Sequence, residues 1–298
     1  MANLKEIRNR IASVGANMKI TQAMKMVSAS KFKRASDAIT HMRPYSDSLS
    51  EILAQVSSSV SGEEINSPYT VVREEKKVLL VVFTSNKGLC GAFNSNVVKR
   101  AKELLSNEFA GKDVDVVTIG NKARELLSKT YKISADYSGV YDDLTFASAS
   151  AIAQGIMDAF ASGRYDRVQF VYNRFKNAAT QIVTSEQFLP LTLKGGDDTT
   201  GMQANTDFIL EPDSKSIIEG LLPQSLRLQF FRVLRDSVAS EHGAGGRCAA
   251  RRCRKAAVCR GACPERPAGK FQLWAGQPAG DTHAGGGTVQ HPCGGRRI

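Results

Sequence analysis

Between Ile7 and Ala35 the chain reads IRNRIASVGANMKITQAMKMVSASKFKRA, with no proline and a single glycine, Gly15. Apolar or small residues fall at Leu4, Ile7, Ile11, Val14, Met18 and Thr21, then shift register to Met24, Ser28, Phe32, Ala35, Ile39 and Met42. Spacings of three and four make a narrow seam, the pattern by which one helix winds on another. A helix from about Leu4 to Met42 is roughly 60 Å long at 1.5 Å per residue, more than a globular domain needs. Pro44 predicts a kink or a stop. Helical pattern resumes over residues 48–56, and the polar stretch SSSVSGEEINSPYT reads as a linker.

The pattern changes at Lys77. VLLVVFTS is a continuous apolar run and predicts a buried strand. The turn NKGLCGAFN and the amphipathic SNVVKRAKELLSN follow, then the strand DVDVVTIG and the helix NKARELLSK. SASAIAQGIMDAFASG predicts a third helix, and YDRVQFVYNRF with AATQIVTSEQFLPL two further strands. Strands alternating with helices imply an α/β layer with a mainly parallel sheet. From Phe208 the long-helix pattern returns, with Leu226, Leu228, Phe231, Val233, Leu234 and Val238 as its apolar positions.

The chemistry of the chain changes again near Gly243. The formal net charge of +11 invites a nucleic-acid reading, but 10 Lys/Arg and 2 Asp/Glu lie from Gly243 onward, leaving 30 basic against 27 acidic residues before it. Five of the six cysteines and the one tryptophan, Trp274, fall in the same segment. No apolar run is long enough to span a bilayer. The opening MANLKEIRNR lacks a signal-peptide core and carries Glu6, so a cytosolic chain, or one held at a membrane surface, is expected.

Three stretches, IRNRIASVGANMKITQAMKMVSASKFKRA, TSNKGLCGAFNSNV (84–97) and EPD…LLPQSLRLQFFRVLRDSVASEHGA (211–244), resemble the signature regions of the gamma subunit of bacterial F-type rotary ATP synthases, in order and spacing. The resemblance covers residues 1–244. It implies an α/β fold in which long terminal helices form an antiparallel coiled coil beside a Rossmann-like domain. The expected divisions are 1–58 for the first helix, 75–195 for the α/β domain and 207–244 for a truncated second helix. Residues 245–298 are expected to be a disordered Gly/Arg/Cys-rich tail.

By the same resemblance the chain is a non-catalytic rotor shaft without a cofactor of its own. Its implied partners are the alpha and beta subunits, the epsilon subunit and the membrane ring of c subunits, whose ion flow drives rotation. Its implied place is the cytoplasmic face of the bacterial inner membrane, peripheral to the bilayer. Met24 and Lys25 match the region where the family's shaft meets the beta subunits, and Arg232, Arg235, Asp236, Ser240 and Glu241 match the contact region on the second helix. Small residues and flexible methionines suit a surface that must slide. Lysine contacts with acidic loops, at about 1 kcal/mol per pair in water, exchange readily.

Other readings are weaker. A nucleic-acid-binding protein would use the Arg/Cys tail, yet the rest of the chain is barely basic. A nucleotide-binding enzyme needs phosphate-loop spacing that GLCG (88–91) lacks. Cys248, Cys253, Cys259 and Cys263 could hold zinc, but their spacings are looser than the usual C-x₂-C pairs. The abrupt Gly/Ala/Arg/Pro/Cys composition after Ala244 is what GC-rich coding DNA yields in a shifted frame. Back-translating RKAAV and moving one base permits Glu-Lys-Leu-Leu, which is amphipathic-helix material. A frameshift near codon 244 is therefore expected. Peptide mass spectrometry of the native complex should find helix-forming peptides from another frame after Glu241. Recovery of GACPER would instead establish that the tail is made.

Overall fold

In the computed structural model, residues 4–59, 67–191 and 214–259 are described. Helix α1 spans Leu4–Ser59 without interruption, so Pro44 lies inside it. An interior proline removes one helix hydrogen bond at a cost of about 3 kcal/mol. Packing on both sides outweighs that cost: Ala35, Ile39, Ser46, Leu49, Leu53 and Val56 are all buried at seam positions. The kink or stop expected at Pro44 does not end the helix, which is roughly 84 Å long at 1.5 Å per residue.

The α/β layer comprises β1 Lys77–Phe83, α2 Phe93–Ser106, β2 Asp113–Ile119, α3 Asn121–Leu127, β3 Ile133–Asp136, a 3₁₀ turn at Ser138–Tyr141, α4 Phe146–Ala161, β4 Arg167–Phe175 and β5 Gln181–Leu189. The sheet order is β3-β2-β1-β4-β5. The pairs β1–β2, β1–β4 and β2–β3 are parallel, and β5 adds antiparallel to β4. The four-residue β3 was too short to register as a strand in the sequence pattern.

Alternation along β1 separates two cores. Val78, Leu80 and Val82 pack with Val97, Ala101 and Leu104 of α2 and Leu127 of α3. Leu79, Val81 and Phe83 face Met157 and Phe160 of α4. At the β1 and β2 exits, Gly120 has φ +119, and a Cβ there would sit 2.3 Å from the Thr84 carbonyl oxygen. Only glycine permits that approach.

Helix α5, Ser214–Cys259, completes the second core. Leu226, Phe230, Phe231, Val233 and Leu234 join the cluster under β1 and β4. Its other side meets α1: Leu53 and Val56 pack with Ile218 and Leu222, Arg43 pairs with Asp236, and Ser28 reaches the His242 carbonyl. Residue numbers rise along one helix as they fall along the other, so the pair is antiparallel. All described residues belong to one compact unit.

The end expected at Ala244 moves to Cys259, with Ala249 and Ala250 buried. Gly245 and Gly246 lie beside α1, where added Cβ atoms would make ordinary contact with Ser28 Oγ at 3.7 and 3.4 Å. The remainder of the expected tail, residues 260–298, lies outside the described residues.

Phe230 is fully buried, its ring centroid 5.7 Å from that of Phe83 and 5.8 Å from that of Phe170. Replacement by alanine should cost about 3–5 kcal/mol in urea unfolding. Ile20→Ala, at a site 60% exposed, should change stability by no more than about 0.5 kcal/mol.

Candidate functional site

Met24 and Lys25 are both exposed on α1, Met24 at a seam position and Lys25 beside it. Met24 is 44% exposed, and Ile20, Met26 and Val27 around it are 60, 70 and 57% exposed. Lys25, Lys31, Lys33 and Arg34 are exposed on the same half of the helix. The result is a surface of apolar and cationic side chains with no acidic residue between Glu6 and Asp37.

Of the five α5 residues expected at the ring contact, Asp236 and Ser240 are buried while Arg232, Arg235 and Glu241 are partly exposed, and Arg232, Arg235, Asp236 and Ser240 have partners within the molecule. Arg232 donates to Glu186 Oε1 on β5 at 3.4 Å. Arg235 lies over the Phe231 ring at 4.9 Å and donates to the Leu144 carbonyl at 3.3 Å. Asp236 is buried and accepts from Arg43 at 3.2 Å. Ser240 is fully buried and donates to the Asn173 carbonyl of β4 at 3.0 Å. Arg232, Asp236 and Ser240 are spaced by four and form one polar stripe along α5. The stripe holds that helix to the sheet on one side and to α1 on the other.

Several latch residues were not anticipated. Glu186 also accepts from Tyr172 Oη at 2.7 Å and from Gln229 Nε2 at 2.7 Å. Arg43 donates to the Phe175 carbonyl at 2.5 Å as well as to Asp236. The available signal was the four-residue polar spacing inside a helix whose other positions are apolar. A charged stripe there needs internal partners, because burying an unpaired charge is costly.

Glu241 is half-buried where α1, α5, the 3₁₀ turn and the loop after β1 converge. Burial pushes its carboxyl up from the ordinary 4.5 to about 7, while Lys31 and Lys87 pull the other way. Its charge in turn raises the thiol of Cys90, whose largest influence is burial, and the phenol of Tyr141, again chiefly raised by burial. Burial likewise pushes the Asp236 carboxyl up, with Arg43 opposing.

In the GLCG turn, Leu89 and Gly91 adopt φ +68 and +66. Its neighbours are tied to one another rather than aimed at a ligand. The Ser85 amide donates to Asn94 Oδ1 at 3.0 Å, and Asn94 Nδ2 donates to Ser85 Oγ at 2.8 Å. Cys90 packs with Phe93 and Ala244, joining the turn to α5. Of the tail cysteines, Cys248 and Cys253 lie on α5 as free thiols. No described helix is long and apolar enough to cross a membrane.

Residues 3–250 match the family model described as ATP synthase. The ATP synthase gamma chain of Flavobacterium johnsoniae is 52% identical over 244 residues, covering 82% of this chain and 84% of that one. That of Geobacter metallireducens is 38% identical over 247 residues, with the same coverage. Among solved structures, the central stalk and c-ring of the Tetrahymena thermophila mitochondrial ATP synthase includes a similar chain. It has a TM-score of 0.57 and 26% identity, with coverage of 78% of this chain and 98% of that chain. The rotor of the Euglena gracilis enzyme shares the fold, with a TM-score of 0.55 at 18% identity over 85% of this chain and 92% of that one.

A raised carboxyl favours folding while it is protonated and opposes it once ionised. Stability contributed at Glu241 is therefore fully present below about 4.5 and lost as pH rises through about 7. Glu241→Gln removes this dependence. The stability of the variant relative to the parent should rise by about 2–3 kcal/mol between pH 4.5 and 8, read from paired urea titrations. A constant difference across that range would contradict the burial argument.

Proposed function

The chain belongs to the ATP synthase gamma chain family, and from that premise we propose that it works as the rotor shaft of the enzyme's central stalk, coupling ion flow to ATP synthesis or hydrolysis. The observation that carries this reading is the division of labour between its two ends. At the foot, α5 is locked between α1 and the sheet by an apolar core and by the Arg232, Asp236 and Ser240 stripe. Beyond it, the face of α1 around Met24 and Lys25 stays exposed. A body that is rigid at its base and weakly adhesive along its stem suits rotation inside a sleeve.

In this reading the sleeve is the ring of alpha and beta subunits, and the reacting groups belong to that ring. The gamma chain itself supplies no catalytic residue. The α/β layer rests beside the epsilon subunit on the ring of c subunits, at the cytoplasmic face of the bacterial inner membrane. Met24 and Lys25 meet the beta subunits: the thioether adapts to changing neighbours, and the ammonium pairs loosely with acidic loops. Arg232, Arg235, Asp236 and Ser240 support the shaft from within, and their contribution to coupling is through its stiffness and position.

Lys25→Glu should weaken binding of the chain to a preformed alpha/beta ring by about tenfold at low ionic strength, with the difference shrinking as salt rises. Asp236→Ala should instead lower the unfolding stability of the chain by about 1–2 kcal/mol, since the Arg43 it leaves is partly solvated, with little change in the salt dependence of ring binding. Titration of fluorescently labelled chain into the ring separates the two. The parent chain's failure to bind the ring or to support ATP-driven rotation would overturn the functional reading.

A further inference from the structure

We infer that Arg43 is a positioning residue of the rotor, pinning α1 to the base so that torque applied to the sheet reaches both strands of the shaft. The inference rests on the rotor reading above. It begins from an asymmetry between the two helices. Helix α5 is joined to the sheet by the Phe230 core and by hydrogen bonds at Arg232 and Ser240. Helix α1 lies on the far side of α5, and its polar links at Ser28 and Tyr45 go to α5.

Where α1 does approach the sheet, the contact is mostly apolar. Ala35 and Ile39 pack with Phe175 and Ala239, and the Phe32 ring meets that of Phe175 edge-on at 5.8 Å. Such contacts resist separation, but they are non-directional and offer little against sliding. Arg43 adds direction. One nitrogen, Nη2, donates to the Phe175 carbonyl at the end of β4 at 2.5 Å and to Asp236 Oδ1 on α5 at 3.2 Å. Three elements thus meet at a single guanidinium.

Its place along α1 strengthens the argument. Pro44, the next residue, removes a backbone donor, so the helix bends most easily there. A pin at the compliant point keeps twist in the base from being absorbed as bending of α1. The Asp236 side chain is 5% exposed and that of Arg43 39%, so the acceptor is held rigidly while the donor bridges to it. The planar guanidinium suits two acceptors at a defined angle; a lysine ammonium is less directional.

The test uses the assembled complex, with the alpha/beta ring fixed to a surface and a gold rod on the base of the shaft. Angular fluctuation of the rod in the stalled state reads torsional stiffness directly. Arg43→Gln should widen the angular variance, and Arg43→Lys should give an intermediate value. Asp236→Asn, which leaves the Phe175 contact in place, should have a smaller effect. Adding Asp236→Asn to Arg43→Gln should widen the variance no further. Parent-like variance in an Arg43→Gln complex that assembles and turns overturns the inference, even if its melting temperature falls. If that variant does not assemble, parent-like variance in Arg43→Lys overturns it instead. A parent complex that assembles without turning overturns the rotor reading, and the inference with it.

Discussion

The structure depends on burying α5 from two sides at once. Its Phe230 ring packs with Phe83 and Phe170 beneath the sheet, while Ile218 and Leu222 close against Leu53 and Val56 of α1. One helix therefore serves as a wall of the α/β core and as a strand of the coiled coil. Neither part has an apolar surface complete without it. Joining stem and base through a continuous helix also avoids a loop between them, where a flexible connection would dissipate twist.

Double burial creates an electrostatic difficulty that the polar stripe resolves. Asp236 and Ser240 cannot reach bulk water, and desolvation alone would favour a neutral Asp236. Arg43 supplies the opposing charge. The Asn173 carbonyl accepts the Ser240 proton, and Glu186 gathers donors from Tyr172, Gln229 and Arg232. Such pairs add little net stability against apolar replacements of similar shape. Their effect is to select one rotation and one register of α5, which an apolar cylinder between two apolar faces would leave loosely defined. Glu241 lacks a close cation of this kind, and its raised carboxyl follows from that difference.

Much of this was legible in the sequence because hydrophobic period carries it. VLLVVF reads as a strand covered on both faces, and the three-and-four spacing of α1 reads as a seam. What period does not encode was missed. Continuity through Pro44 depends on the packing of Leu49, Leu53 and Val56 beyond it, a tertiary effect that outweighs a local penalty. The inward direction of Arg232, Asp236 and Ser240 was hidden because charged residues on a helix ordinarily face solvent. Their partners, Glu186 and the carbonyls of Asn173 and Phe175, lie tens of residues away. β3 escaped notice because four residues are too few to show a period.

The stem poses a different problem along its length. At its far end the α1 seam meets Ile218 and Leu222 of α5 through Leu53 and Val56, and nearer the middle Phe32, Ala35 and Ile39 meet Ala239 of α5 and Phe175 of β4. Opposite Ser28 it meets glycine, and residues 245–259 supply chiefly glycine, alanine, cysteine and arginine. Leu4, Ile7 and Ile11 continue the seam, yet they are 66, 47 and 52% exposed. At about 25 cal/mol per Å², apolar area left open at a heptad position is stabilisation forgone at every turn. The α1 pattern thus asks for a second strand of matching leucines and isoleucines, while the chain after Ala244 presents small and cationic residues. A seam specified on one helix and unanswered on the other is what a change of reading frame near codon 244 would produce.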